Sequence, residues 1–181
     1  LSFSEAMHMT TKEALLAARG LLEQVTPLST DCGALCGAAC CQDSPDEDSV
    51  AGMLLFPEEA PLYARQGAWM ELLPSHLLFA GEPVPLLTCR MPCPRPMRPL
   101  ACRLFPLVPF VKGDRLTVRM DLRARPLCPL YSSGIAGLSP AFVSAVKSAL
   151  RLLWADPVHR EYLCLLTEHL KEYDFLAPQD L

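Results

Sequence analysis

Apolar positions recur three and four apart over the C-terminal third of the chain. In "SPAFVSAVKSALRLLW", Phe142, Val146, Ala149 and Leu153 fall on one stripe, with Ser139 as the cap and Pro140 in the first turn. "DPVHREYLCLLTEHLKEY" reads as a second helix, capped by Asp156 and followed at once by Pro157. Near the other end, Leu15, Ala18, Leu22 and Val25 share helical spacing and predict a helix over 4–25, with Thr11 and Glu13 among good helix formers and Pro27 ending it. The period then changes. "RLTVRM" alternates polar with apolar, and with "FPLVPFV" before it and "KGD" between them it predicts a β-hairpin. "AGMLLFPEEAPLYARQG" reads as a short apolar strand running into a helix, with Pro57 at its first position and Glu58 and Glu59 at its positive end. "AWMELL" and "HLLFAGE", within 67–88, read as short strands joined by a turn.

Proline interrupts this pattern. Eight of the 18 prolines fall in residues 83–109, which predicts neither a regular helix nor a central strand there. An ordered irregular loop or a linker remains, and the cysteines within the stretch favour order. The expected architecture is α+β, a single domain over 1–181. Helices 4–25 and 139–173 flank a cysteine- and proline-rich irregular centre, 31–130, with a small β-hairpin.

Composition narrows the class. Apolar residues make up 51% of the chain, which argues against disorder. No apolar run approaches the roughly 20 residues that cross a bilayer, so no membrane partner is expected. A net charge of -4 makes nucleic acid an unlikely partner. "LSFSEAMHM" lacks the basic region and apolar core of a signal peptide. The acids from Asp43 to Asp48 match no calcium-loop spacing and read as a solvated loop. A protein partner and the oligomeric state are left open.

Nine cysteines change the picture most. Cys32, Cys36, Cys40 and Cys41 fall within "DCGALCGAACC"; Cys89, Cys93, Cys102 and Cys128 follow. The odd count and the length of the chain fit a disulfide scaffold poorly. A reducing, cytoplasmic compartment is expected, with thiolates serving a metal. Eight thiols suffice for two four-cysteine sites of zinc or iron–sulfur type. Cys164, in "YLCLL", reads as a small core residue. Neighbouring side chains diverge in helix and strand alike, so Cys40 and Cys41 rarely serve one mononuclear site. One is then a non-ligand, or the two serve neighbouring ions. Gly33 and Gly37 each follow a cysteine and permit tight turns that aim amides at sulfur.

Arg90, Arg95, Arg98 and Arg103 accompany the second cysteine group. They could offset thiolate charge, bind an anion, or be plain surface charge. His8, His76, His159 and His169 lie far from the cysteines and form no H-x3-H pair. His159 and His169 sit ten apart on one helix and read as surface or capping residues.

The pattern C-x3-C-x3-CC, followed by "LTC", "PC", "RPLACRLFP" and a last isolated cysteine, resembles the CxxCxxCC cysteine-cluster family (YkgJ-like proteins), described as a zinc- or iron-chelating domain. "RPLACRLFP", Arg98 to Pro106, is similar to the family's most specific signature, and "MLLFPEEA" to the segment between its cysteine groups. The likeness spans about residues 31 to 130. It implies Cys32, Cys36, Cys40, Cys41, Cys89, Cys93, Cys102 and Cys128 as ligands, with Arg98, Pro99, Arg103 and Pro106 as signature positions. The chain departs from the family in having three residues between the first cysteines, and a short proline-rich stretch between Cys93 and Arg98.

The expected function is therefore metal binding by a cysteine cluster, with one or two zinc ions mainly structural. The alternative is iron, or an iron–sulfur cluster in electron transfer or redox sensing. No nucleophile elbow, P-loop or dinucleotide fingerprint is present, so no reaction is assigned.

Overall fold

Thr10 starts the first helix, α1 (Thr11–Leu21), in a computed structural model that describes residues 9–41, 52–64, 69–90 and 93–176. Its hydroxyl accepts the Glu13 amide at 3.3 Å while its own amide donates to Glu13 Oε2 at 2.8 Å, a reciprocal cap. The expected helix over 4–25 is thus shorter. Residues 4–8 lie outside the described residues, and Val25 falls beyond the last turn, although it still packs on the core.

Chain order continues through the single-turn helix α2 (Gly33–Cys36), β1 (Met53–Leu54), β2 (Met70–Phe79), β3 (Glu82–Cys89), α3 (Leu100–Leu104), β4 (Leu107–Lys112), β5 (Arg115–Met120), α4 (Pro140–Ala155) and α5 (Pro157–Lys171). The fold is α+β. One antiparallel sheet has the order β1-β3-β2, and β4 and β5 form the expected hairpin.

Three expectations for the middle of the chain change. The segment after β1 is a turn and a 3-10 helix, Ala60–Leu62, rather than an α-helix, because Glu59 turns inward to serve another helix. "AWMELL" and "HLLFAGE" do not form two strands joined by a turn. They make one strand, β2, with a register irregularity between Pro74 and Leu78, and the turn falls at Ala80 and Gly81. β3 is a central strand despite Pro83 and Pro85. β1 covers it only at Leu86 and Leu87, beyond both prolines, and the Pro85 carbonyl still accepts the Leu55 amide at 2.9 Å. The same proline-rich stretch also holds α3, which starts directly after Pro99. At Gly52 the chain passes so close to β3 that a Cβ would meet the Leu87 carbonyl at 2.9 Å.

The last two helices follow the apolar stripe, and Phe142, Val146, Ala149 and Leu153 are buried. Ser139 caps differently than expected. Its side chain makes no capping bond, while its amide donates to the Pro27 carbonyl at 2.8 Å and so ties α4 to the loop that follows α1. Asp156 does cap α5, accepting the His159 amide at 2.9 Å, and its other oxygen accepts the Thr11 hydroxyl at 3.2 Å. These helices, with Leu15, Ala18 and Leu22 of α1 and Leu100 and Leu104 of α3, enclose the main core. Truncating one such leucine to alanine costs about 2–5 kcal/mol. A smaller cluster gathers Leu55, Tyr63, Met70, Leu87 and Cys93. Among the described residues no helix is long and apolar enough to cross a membrane.

Candidate metal centre

Four separate segments carry the eight cysteines to the ground between these two clusters. The first begins at Asp31, whose carboxylate accepts the Gly33 amide at 3.1 Å. Cys32 precedes α2 and Cys36 ends it. Gly37 then turns the chain at φ 60, a left-handed conformation that suits glycine. Ala38 repeats it at φ 57, and the 3-10 turn Ala39–Cys41 follows. Cys89 ends β3, opposite Met70. Cys93 lies buried in the smaller cluster. Cys102 rides on α3, and Cys128 follows the turn Leu122–Ala124, where its amide donates to the Ala124 carbonyl at 2.7 Å.

The thiols meet in pairs. Cys40 and Cys41 lie near enough to shift each other's ionisation strongly, so the turn keeps these two side chains close where helix or strand geometry would spread them. Cys93 and Cys89 likewise shift each other, while the Cys93 thiol donates to the Pro94 carbonyl at 3.5 Å. Cys102 feels the charges of both Cys41 and Cys89. Cys32, Cys36 and Cys128 make a second neighbourhood, joined to the first through Cys36 and Cys40. The closure of a bound site is not reached. A tetrahedral zinc holds its sulfurs roughly 3.8 Å apart. Among the described residues no three cysteine sulfurs all lie within 4.8 Å of one another.

Electrostatics separates the thiols. The neighbouring Cys40 thiol, the Arg98 charge and the Cys93 amide lower the Cys41 pKa to about 6. The neighbouring Cys93 thiol also lowers Cys89. Cys93 is raised by its neighbour Cys89 and by burial, and Cys40, though exposed, by its neighbour Cys41. Burial raises Cys32, Cys102 and Cys128, and neighbouring thiolates add to the shift. A divalent cation among these sulfurs would reverse that repulsion.

Of the four arginines, Arg98 reaches the most thiols: its charge favours the ionised forms of Cys32, Cys41, Cys93 and Cys102, while Arg95 also feels Cys32. Arg95 and Arg103 are structural clamps. Arg95 donates to the carbonyls of Leu22, Glu23 and Val25, which terminate the α1 segment. Arg103 donates to the carbonyls of Arg19, Pro96 and Arg98 at 2.8–2.9 Å. Arg90 is exposed, 3.8 Å from Glu71.

Glu59 is the hidden support of this region. It is fully buried, ion-paired with Arg19, and accepts the amides of Phe56 at 3.1 Å and Leu100 at 2.7 Å. Its place in "PEEA" suggested only a local helix dipole, and no spacing rule links it to a residue 41 positions away.

Three further readings are corrected. Cys164 is exposed, because Tyr162, Leu163 and Leu166 take the buried face of α5. His159 is fully buried beside Phe56, its Nδ1 3.0 Å from Asp156 Oδ2. His169 is also buried, at 6% exposure, against His76. Neither is a surface residue. His8 and the acidic loop lie outside the described residues. No protein-family model, curated protein or solved structure matches the chain.

Proposed function

We propose that this chain is a metal-binding cysteine-cluster protein whose thiolates hold zinc, mainly to order the loops that carry them. One observation carries the reading: eight cysteines spread over 97 positions of sequence, Cys32 to Cys128, form a chain of mutual electrostatic neighbours, four of which also feel Arg98. The chemistry of the donors fits zinc, since thiolates are its preferred structural ligands. The neighbour relations group Cys41, Cys89, Cys93 and Cys102 apart from Cys32, Cys36 and Cys128; each group takes one ion, with Cys40, which lies between them, completing the second. The vicinal pair then serves two adjacent ions, one sulfur each. The thiols would have to draw together by side-chain rotation to reach tetrahedral spacing.

The test is the metal content and visible spectrum of protein purified without air. Stoichiometric zinc and no colour support the proposal. Brown protein with iron and labile sulfide replaces it with the iron–sulfur reading, which draws on the same thiolates. Protein that neither contains nor takes up metal when reduced overturns both. Cys102→Ser is expected to lower the zinc content, while Cys164→Ser leaves zinc unchanged and stability within about 0.5 kcal/mol.

A further inference from the structure

A second group of ligand-type side chains lies away from the thiols. His76 stands on β2, an edge strand, within the interval where pairing with β3 breaks between Pro74 and Leu78. Such irregularities re-aim side chains. Here the His76 ring lies 5.5 Å from that of His169, near the end of α5. Glu172, one turn further on, places its Oε2 3.3 Å from His169 Nδ1.

We infer that His76, His169 and Glu172 form a separate, thiol-free site for a divalent transition-metal ion, zinc being the best match to two imidazoles and a carboxylate. One ligand atom from each of the three lies within 4.8 Å of the other two. Zinc bonds of about 2.0–2.2 Å place neighbouring nitrogen and oxygen ligands roughly 3.3 Å apart in a tetrahedron, the spacing of His169 Nδ1 and Glu172 Oε2.

The orientation of His169 supplies an independent argument. Its side chain is 5% exposed, and its Nδ1 has no hydrogen-bond partner among the described residues. Glu172 Oε2 stands 3.3 Å away, close enough to pair with that nitrogen and at the spacing of two ligands of one ion. A buried polar nitrogen left unpaired is costly, and an ion would satisfy it. His76 and Glu172 are exposed, so the ion would keep a position open to water or to a small anionic or carbonyl ligand. Tyr173 backs the His169 ring edge-on, with centroids 5.8 Å apart. Arg123, whose charge also reaches His169, is held by Asp121 at 2.7 Å. The site does not depend on the thiol reading.

The test uses the whole protein given zinc only until its thiols stop reacting with a thiol reagent, with no zinc in excess, then titrated with Co(II). One further equivalent is expected, with weak visible bands and no sulfur-to-cobalt charge-transfer band. His76→Ala and Glu172→Gln should each weaken that equivalent about tenfold or more, while Cys102→Ser leaves it in place. Both substituted residues are exposed, so an unchanged urea midpoint would show that the variants still fold. Cobalt bound only with charge-transfer bands, no further equivalent, or unchanged affinity in His76→Ala would overturn the inference.

Discussion

Glu59 Oε1 accepts the Leu100 amide across 41 residues of sequence, and so fixes the start of the helix that carries Cys102. The same carboxylate neutralises Arg19, which also donates to Tyr63 Oη at 2.9 Å. Glu59→Ala leaves a buried guanidinium without its counter-charge and an amide without its acceptor. A loss of about 3–5 kcal/mol is expected from urea unfolding. Replacing Arg19 and Glu59 together by methionine should recover much of it. A loss below about 1 kcal/mol for Glu59→Ala would mean the pair is not buried as described.

Arg95 satisfies carbonyls that the end of a helix leaves without partners. Arg95→Ala should cost about 1.5–3 kcal/mol, the range of hydrogen bonds to charged groups. It should also speed amide exchange in the last turn of α1. Arg95→Lys should recover little, since a compact ammonium cannot reach three carbonyls as the planar fork does. Equal stability of the lysine variant and wild type would contradict the clamp.

Burial lowers the His159 pKa, against the opposing pull of Asp156. Above the ordinary value of about 6.5, both folded and unfolded states hold the ring neutral. Below it the unfolded chain takes up the proton first, so stability falls as pH drops from about 6.5 toward the lower folded value. His169 is lowered by burial too and acts in the same sense. Urea midpoints between pH 8 and pH 5 should therefore decline, and His159→Leu should flatten the decline. A His159→Leu profile parallel to wild type would show that this ring does not titrate with folding.

In reduced, metal-free protein Cys41 should be ionised at neutral pH, given its pKa of about 6. Its alkylation by iodoacetamide, mapped by mass spectrometry, should stay fast down to about pH 6. Arg98→Ala should move the profile upward, because it removes one of the charges that hold the thiolate. An alkylation profile centred near the ordinary thiol value of about 8.5 would rule out this arrangement.

Both the β4–β5 hairpin and the two last helices were legible because period and punctuation agree there. "KGD" falls between alternating strands, and Pro140 and Pro157 each open a stripe of buried residues. The middle was less legible because proline has two meanings. Pro74 reads as a turn but lies in a strand whose register slips; Pro83 and Pro85 read as breakers but precede the stretch where β1 pairs. The eight thiols could be named from sequence as ligand-type residues, and they are electrostatic neighbours in the fold. Their division into neighbourhoods could not, since it depends on which turn faces which. Arg95 and Arg98 stand three apart in one basic run, yet one grips carbonyls and the other faces sulfur. His76 and His169 meet only through tertiary packing.

The grip of Arg95 and Arg103 on backbone carbonyls bears on the life of the protein after damage. Guanidinium groups keep their protons at any physiological pH, and neither an oxidant nor a chelator removes them. The segment with Cys93 and Cys102 is therefore moored to α1 by bonds indifferent to the state of its sulfur. Oxidising a thiol leaves that mooring intact, and a reductant can restore the sulfur while the segment stays tied to α1.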